Sequence, residues 1–373
     1  MKILIIGAGF TGCTLARLLK DMDHQIYIKE KLDHIGGLSY TKKSPNGIIY
    51  GPYGAHVFHT SNKDIINFVK RFAKFNSYVH YKGIIINNII RPFPISLETI
   101  KNMPEARKIL KELKNRPDKL NRSNFEECMI SLIGKTLYNL FVRNYTKKMW
   151  GIEPKELTAE WAPKRIEMRD SNSELFKGQW QGLPIEGYSK FFEEMLTDIE
   201  VELNCNGFNK SDYDLVLFSG RIDELLNFKF GALPYRSLKY EYRTDEVWEN
   251  DKFGSINLPQ HSKYIRKSNF KILYQQKISQ SWIQYQESIP ADDSNLPMYP
   301  ITTINNHNLF ERYLNEVCKS GTIIPVGRLG LYKYLDMDKA VSLSMDMIPL
   351  ILNWKKMSHK KKYFKIKEII VNY

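Results

Sequence analysis

Residues 2–6 read as an apolar run short enough for a buried strand, and Leu15, Ala16, Leu18 and Leu19 then recur at helical spacing, so the chain opens as a buried strand followed by an amphipathic helix. Gln25 to Lys29 forms a second strand. From about Glu105 to Tyr145 the period is helical: Lys108 to Leu113, a polar loop from Lys114 to Arg122, then Ser123-Asn124-Phe125-Glu126 as a capping box opening a long helix. Phe125, Met129, Leu132, Ile133, Leu137, Leu140 and Phe141 line one face of that helix. Between Asn227 and about Gln286 aromatic and polar positions alternate (Tyr235, Leu238, Tyr240, Tyr242, then Ile272, Tyr274, Trp282, Tyr285), the pattern of an antiparallel sheet. Two apolar runs ending in glycine, Asp214 to Gly220 and Thr322 to Gly327, read as parallel strands returning to the first sheet.

Gly7, Gly9 and Gly12 sit where the first strand passes into the first helix. In a strand–turn–helix of this kind the first glycine allows a tight turn, the second lets backbone approach a pyrophosphate, and the third lets helix pack on strand. Glu30 ends the second strand 18 residues after Gly12, close to the position of a carboxylate that binds a ribose hydroxyl. The order of strand, glycines, helix, strand and acid lifts the motif above a bare glycine-rich turn. A second glycine turn, Gly36-Gly37, follows the ribose position and favours FAD over NAD. The predicted fold class is α/β: a discontinuous Rossmann-like FAD-binding domain with a helical insertion and a twisted antiparallel β-sheet domain. The expected division assigns 1–75, 205–226 and 319–373 to the first, and 98–178 to a helical domain, to which the resemblance given below adds a mobile substrate loop. Residues 76–97, 179–204 and 227–318 go to the sheet domain.

At 373 residues, 43% hydrophobic and 26% charged, the chain is globular in composition. A net charge of +14 is compatible with nucleic acid, a membrane surface or an anionic substrate, but lysines spread along the chain read mainly as solvated. They are densest at the C-terminus, where Lys355, Lys356, Lys360, Lys361, Lys362, Lys365 and Lys367 interleave with Trp354, Tyr363, Phe364, Ile369 and Ile370. That stretch suits peripheral contact with anionic lipid or a partner, or, as the ordinary outcome, a frayed solvated tail. No nucleic-acid signature accompanies it, so nucleic acid is not an expected partner. Cys13, Cys128, Cys205 and Cys318 are far apart, and Met1 leads straight into the first strand without a secretory signal, so a cytoplasmic protein with reduced thiols is expected. The run Ile84 to Ile90 is broken by Asn87 and Asn88, too short to span a bilayer. No HExxH or calcium-loop spacing occurs, and no metal is expected.

Longer blocks then follow in order: Gly54 to Thr60 with His56 and His59, Asn144 to Gly151, Lys164 to Arg169, Gln181 to Tyr188, Phe230 to Glu241, and Gly327 to Asp338. Together they resemble the UDP-galactopyranose mutase family along nearly the whole chain. The resemblance implies interconversion of pyranose and furanose forms of a nucleotide-linked galactose-type sugar, with FAD active when reduced and its N5 attacking the anomeric carbon. It also implies an external reductant such as NAD(P)H, a homodimer, and a product used in polysaccharide synthesis. By motif position Arg165 and Arg266 clamp the diphosphate, and His59 lies beside the isoalloxazine as a catalytic group. Tyr145, Tyr299 and Tyr334 donate hydrogen bonds to phosphate, Trp150 belongs to the substrate loop, Phe141 stacks on the base, and Ser96 lies near it. Arg328, Asp336 and Met337 fall near flavin and substrate, and His56 near the cofactor. A lone aromatic is core more often than ligand, and Phe141 also belongs to the helix stripe.

The departures cluster where nucleotide and sugar are read. Leu38 and Ser96 replace asparagines, Met149 a glutamine, Leu175 a tyrosine, and Asn269 a glutamate. They keep a dTDP-fucopyranose mutase with the same chemistry as an alternative. An amine-oxidase-like FAD enzyme is the alternative from another class, although a diphosphate clamp is useless to it. A noncatalytic docking protein built on the terminal lysines would hold no flavin.

Overall fold

The computed structural model describes residues 1–161, 168–205 and 207–373. Its first layer is a parallel sheet in the order Ile323–Pro325, Leu215–Phe218, Lys2–Ile6, Gln25–Lys29, Glu200–Glu202. Ile3, Leu4 and Ile5 have no solvent exposure, as expected of a parallel strand covered on both faces. The two apolar runs that end in glycine do return to this sheet, flanking the first strand. Helix Phe10–Lys20 packs against helix Met337–Asn353, so the end of the chain closes over its beginning.

One boundary differs from the expectation. Residues 179–204 were assigned to the antiparallel sheet, yet strand Glu200–Glu202 pairs with Gln25–Lys29 and helix Gly187–Met195 packs on the first helix. The cause is the stripe Tyr188, Phe191, Phe192 and Met195, all at most 1% exposed, which closes around Phe10 with ring centroids 4.8–5.9 Å from it.

The second sheet has seven strands, in the order Tyr299–Pro300, Tyr235–Arg243, Ile283–Pro290, Arg266–Asn269, Ser255–Asn257, Lys82–Ile86, Ile89–Phe93. It is antiparallel except where Ser255–Asn257 runs parallel to Lys82–Ile86. Register aligns Asn257, Arg266 and Gln286 in one row and Ser255, Ser268 and Gln284 in the next, so one face is polar though buried. Gln284 satisfies its amide by donating to Gly51 O at 3.0 Å, which ties this face to the first layer's loops. Ile272 and Tyr274, expected on a strand, lie instead in and just after the short helix Phe270–Leu273. Asn269, accepting from Lys271 N at 3.1 Å, starts a helical turn there.

The helical lobe also departs in detail. The long helix is interrupted: Phe125–Ile133 ends at Gly134 (φ +81°), and the chain continues through a wide turn at Tyr138–Arg143 into Asn144–Trp150. Asn124 rather than Ser123 caps its start, accepting from Glu127 N at 2.9 Å. Phe125, Met129, Ile133, Leu137 and Phe141 are buried, while the phase change leaves Leu132 and Leu140 half-buried. The terminal lysine stretch is not a frayed tail. It forms helix His359–Val371, with Lys362 only 5% exposed and its ammonium 4.8 Å from the Trp354 ring. Among the described residues no helix is long and apolar enough to cross a membrane.

The first glycine turn leaves no room for a side chain at Gly12, where a Cβ would lie 1.9 Å from Gly7 O. Gly12→Ala is therefore expected to destabilise the protein by about 3 kcal/mol, read as a lower urea midpoint.

Candidate functional site

The parallel sheet ends in two glycine turns that lie against each other. Gly7 adopts φ +99° and donates to Lys29 O at 2.8 Å, which fixes the exit of the first strand. Gly36 N donates to Ala8 O at 2.7 Å, and a Cβ on Gly37 would approach Gly9 Cα at 3.1 Å. Gly9 itself is different: a Cβ there would meet nothing within 4 Å. Open space thus fronts the N-terminus of helix Phe10–Lys20, where unpaired N–H groups favour an anion. Glu30, 6% exposed, braces the turn by accepting from Ala8 N at 2.6 Å and Leu32 N at 2.9 Å. The arrangement fits a dinucleotide, with phosphates before Gly9 and ribose toward Glu30.

Leu38, the residue after this second turn, carries the site toward the other layers. It packs into an apolar cluster with Met149, Leu238, Ile265 and Met298, bordered by Tyr53, Tyr145, Trp150, Tyr240 and Tyr299. Arg266 lies at the polar edge of that cluster and donates from Nη2 to Tyr145 Oη at 2.8 Å and from Nε to Asn257 Oδ1 at 3.3 Å. Burial works against its charge, but Tyr145, Tyr299 and Tyr334 outweigh it and hold the guanidinium's pKa above its ordinary value. Tyr299 and Tyr334 stack in parallel, centroids 5.8 Å apart, and the edge of Trp150 meets Tyr299 at 6.4 Å.

Arg328 stands over Tyr334, 4.6 Å from the ring centre, held by Met298 O at 3.1 Å and Leu335 O at 2.6 Å. Tyr334 donates to Asp336 at 2.8 Å, just before Met337 opens helix Met337–Asn353. His56 faces the same charges. Burial, then Arg328 and Arg266, push its pKa down to about 4 against the opposing pull of Asp336, so the ring is neutral near pH 7. Its Nδ1 lies 2.9 Å from Gly54 O, the tautomer in which Nδ1 donates and Nε2 keeps a lone pair.

Arg266, Tyr145, Trp150, Tyr299, Tyr334, Arg328, Asp336 and His56 are thus brought into one neighbourhood, beside the cradle built by Gly7, Gly9, Gly12, Glu30, Gly36 and Gly37. Other expected site residues are placed differently. Arg165 lies outside the described residues. Ser96 is fully buried and caps helix Leu97–Lys101, accepting from Thr99 N at 3.0 Å and donating to Asn172 at 2.6 Å, so its hydroxyl is spent on the fold rather than offered to a base. Phe141, 3% exposed, packs in the helical lobe's core, where its stripe neighbours hold it. His59 stacks on Phe176 with centroids 3.5 Å apart and bonds Gln179 at 2.8 Å, whereas His56 is the histidine that feels both Arg266 and Arg328.

Two residues escaped sequence reasoning. His80, 6% exposed, meets Tyr78 at 3.0 Å and Ser255 at 3.4 Å, and burial, Lys82, Arg266 and His59 drive its pKa far down. Asn257 orients Arg266 from a three-residue strand. Neither belongs to a motif, and only the strand register, which is non-local, sets them beside Arg266. Among the described residues no His, Cys, Asp and Glu group has the makings of a metal site.

Residues 140–334 match the family model described as UDP-galactopyranose mutase, and residues 5–72 match that of an NAD(P)-binding Rossmann-like domain. The chain is 33% identical over 362 residues to a Klebsiella pneumoniae protein named "Probable UDP-galactopyranose mutase", covering 91% of this chain and 92% of that one. It is 31% identical over 373 residues to a dTDP-fucopyranose mutase of Escherichia coli, covering 94% and 98%. The crystal structure of a reduced UDP-galactopyranose mutase superposes with a TM-score of 0.79 at 18% identity, covering 99% of this chain and 98% of that one, a likeness of fold. Because the sequence identity runs through the helical lobe and both sheets instead of stopping at the glycine turn, the chain belongs to the UDP-galactopyranose mutase family of isomerases.

Proposed function

We propose that this chain is a reduced-FAD-dependent mutase that interconverts pyranose and furanose forms of a nucleoside-diphosphate galactose-type sugar, with UDP-galactose as the principal substrate. The observation that carries the reading is the Arg266–Tyr145 pair beside the stacked Tyr299 and Tyr334, a cation and three phenols at the mouth of a dinucleotide cradle. Such a set recognises a diphosphate: Arg266 supplies charge-assisted hydrogen bonds, and Tyr145, whose oxygen accepts from Arg266, keeps its own proton to donate to a phosphate oxygen, whereas the Tyr334 proton goes to Asp336. The group held in the cradle, when bound and reduced, supplies a flavin N5 nucleophile for the anomeric carbon.

The chain's own residues do the rest. Gly9 and the start of helix Phe10–Lys20 receive the cofactor's phosphates, Glu30 its ribose, and Gly36-Gly37 the turn that closes on them. Arg266, with Arg165 as the second arginine by motif position, stabilises charge on the departing diphosphate. Neutral His56 presents an Nε2 lone pair to a sugar or cofactor hydroxyl, and Arg328 keeps a positive charge over Tyr334. An external nicotinamide reductant, a homodimer and a cytoplasmic setting complete the proposal.

A second reading changes the sugar and keeps the chemistry. Leu38 and Met149 put apolar surface beside Tyr145, Trp150 and Met298, a wall better matched to the methyl of a 6-deoxy sugar than to a hydroxymethyl group. A dTDP-fucopyranose mutase is that reading. An amine oxidase has no use for Arg266 and Tyr145.

Dithionite-reduced protein given UDP-galactose and dTDP-fucose in parallel is expected to form furanose product, resolved by liquid chromatography. Turnover of dTDP-fucose alone establishes the second reading, and turnover of neither overturns both. Arg266→Ala is expected to lower kcat/KM about 10- to 100-fold, the worth of a charge-assisted bond of about 1.5–3 kcal/mol. Gly9→Val is expected to leave the melting temperature of flavin-free protein within a few degrees, since a Cβ at this position meets nothing within 4 Å, while abolishing the 450 nm absorbance of the purified protein. A yellow Gly9→Val protein would place the cofactor elsewhere.

A further inference from the structure

Tyr145 comes from the helical lobe and Arg266 from the antiparallel sheet, so their 2.8 Å bond exists only if these two layers are held in register. Lys148 is one helical turn beyond Tyr145 in helix Asn144–Trp150, on the same face by its i, i+3 spacing. Its Nζ donates to Leu258 O at 2.6 Å, to Tyr264 O at 2.8 Å, and to His261 O. Those carbonyls belong to the turn joining Ser255–Asn257 to Arg266–Asn269, the turn that delivers Arg266. The turn is itself braced, because His261 Nδ1 accepts from Lys263 N and Tyr264 N, each at 3.0 Å, and Leu258 N donates to Ile265 O at 2.9 Å.

The end of the same helix is fastened to the sheet from another strand. Met149 O accepts from Arg236 Nε at 3.2 Å and Ser288 Oγ at 2.6 Å, a cation at a helix C-terminus. Gly151, at φ +70°, lets the chain leave past that guanidinium, which a Cβ would meet at 2.6 Å. Arg236 therefore pins the end of the helix, and Lys148 fixes its rotation toward the Arg266 turn.

We propose that Lys148 is a positioning residue: by filling three carbonyls of the 258–264 turn it sets the Tyr145–Arg266 bond, and through that bond the affinity of the site for a nucleoside diphosphate. The inference rests on the reading of Arg266 and Tyr145 as diphosphate ligands. An ammonium has three N–H donors and no acceptor, which matches three converging carbonyls. A neutral amine has two donors, so deprotonation must release one carbonyl. Burial pushes the Lys148 pKa down to about 8, while its three carbonyl bonds favour the charged form. The titratable group facing it on the sheet side is His261, which Arg243 and Lys263 flank in turn, and its neighbour in the helix, Lys147, is paired with Glu153. His261 is depressed by burial and by Lys148, and Lys263 and Arg243 are raised by their partners, so Lys148 is the member of this set that loses charge just above neutral pH.

The test uses flavin-loaded full-length protein and UDP as probe, with affinity read by calorimetry. Lys148→Met is expected to weaken UDP about 10- to 100-fold and to raise KM while kcat changes less than about threefold. In a Tyr145→Phe background the same substitution is expected to cost about threefold or less, because the bond it positions is already gone. Equal losses in both backgrounds would make Lys148 a general fastening and overturn the proposal, as would unchanged UDP binding in Lys148→Met. Should Lys148→Met not fold, the wild-type pH series decides: UDP affinity is expected to fall between about pH 8 and 10 in wild type and to hold in Lys148→Arg, and matching profiles overturn the proposal. Wild-type protein that binds neither UDP nor dTDP at any pH overturns the diphosphate reading itself, and the inference with it.

Discussion

The close approach of the two glycine turns at the end of the parallel sheet is the constraint on which the site depends. Gly12 lies against Gly7 O, Gly37 against Gly9, and Gly36 reaches back to Ala8 O, so three stretches of backbone occupy space that side chains would normally fill. The consequence is a helix N-terminus facing open space at Gly9, with Glu30 already committed to bracing the turn from below. Everything that reaches a cofactor or substrate is then arranged relative to this slot. Leu38 leaves it directly and enters the cluster that contains Tyr145, Trp150 and Tyr299.

The second determinant is the polar face of the antiparallel sheet. Buried polar groups on a sheet would ordinarily be costly, and here Gln284 and Gln286 offset that cost by bonding to a loop of the first layer and to one another. Gly54 completes that contact, since a Cβ there would press on Gln286 at 3.3 Å. His56 is thereby set opposite Arg266 and Arg328 and kept neutral by its burial first and by their charges second. The same face orients Arg266 through Asn257, while Tyr145 of the helical lobe holds the other side of the guanidinium.

Several features were legible in the chain for local reasons. The glycine fingerprint, the acid ending the second strand and the two returning strands depend on short-range sterics and on apolar periodicity, and the structure bears out the Rossmann-like fold they implied. The helix interrupted at Gly134 was harder, because its apolar stripe continues across the break and periodicity alone bridges it. The terminal lysines show the opposite error: their charge suggested a solvated tail, yet Ile366 and Lys362 turn inward against Trp354 and the segment folds as a helix. The partnership of 187–202 with the parallel sheet rested on an aromatic stripe whose docking partner, Phe10, is almost two hundred residues away.

The sequence by itself determined that this protein carries a dinucleotide turn on a parallel sheet and belongs with one family, because positive-φ glycines, strand and helix periods and ordered motif blocks are properties of neighbouring residues. Which polar side chains remain available at the site was decided only by tertiary structure. Ser96 is consumed as a helix cap, His59 stacks on Phe176, and His56 and Arg266 face one another across layers. A hydrogen-bonding group takes whichever partner folding brings within about 3 Å. That partner is set by strand register and layer packing, which no run of adjacent residues encodes.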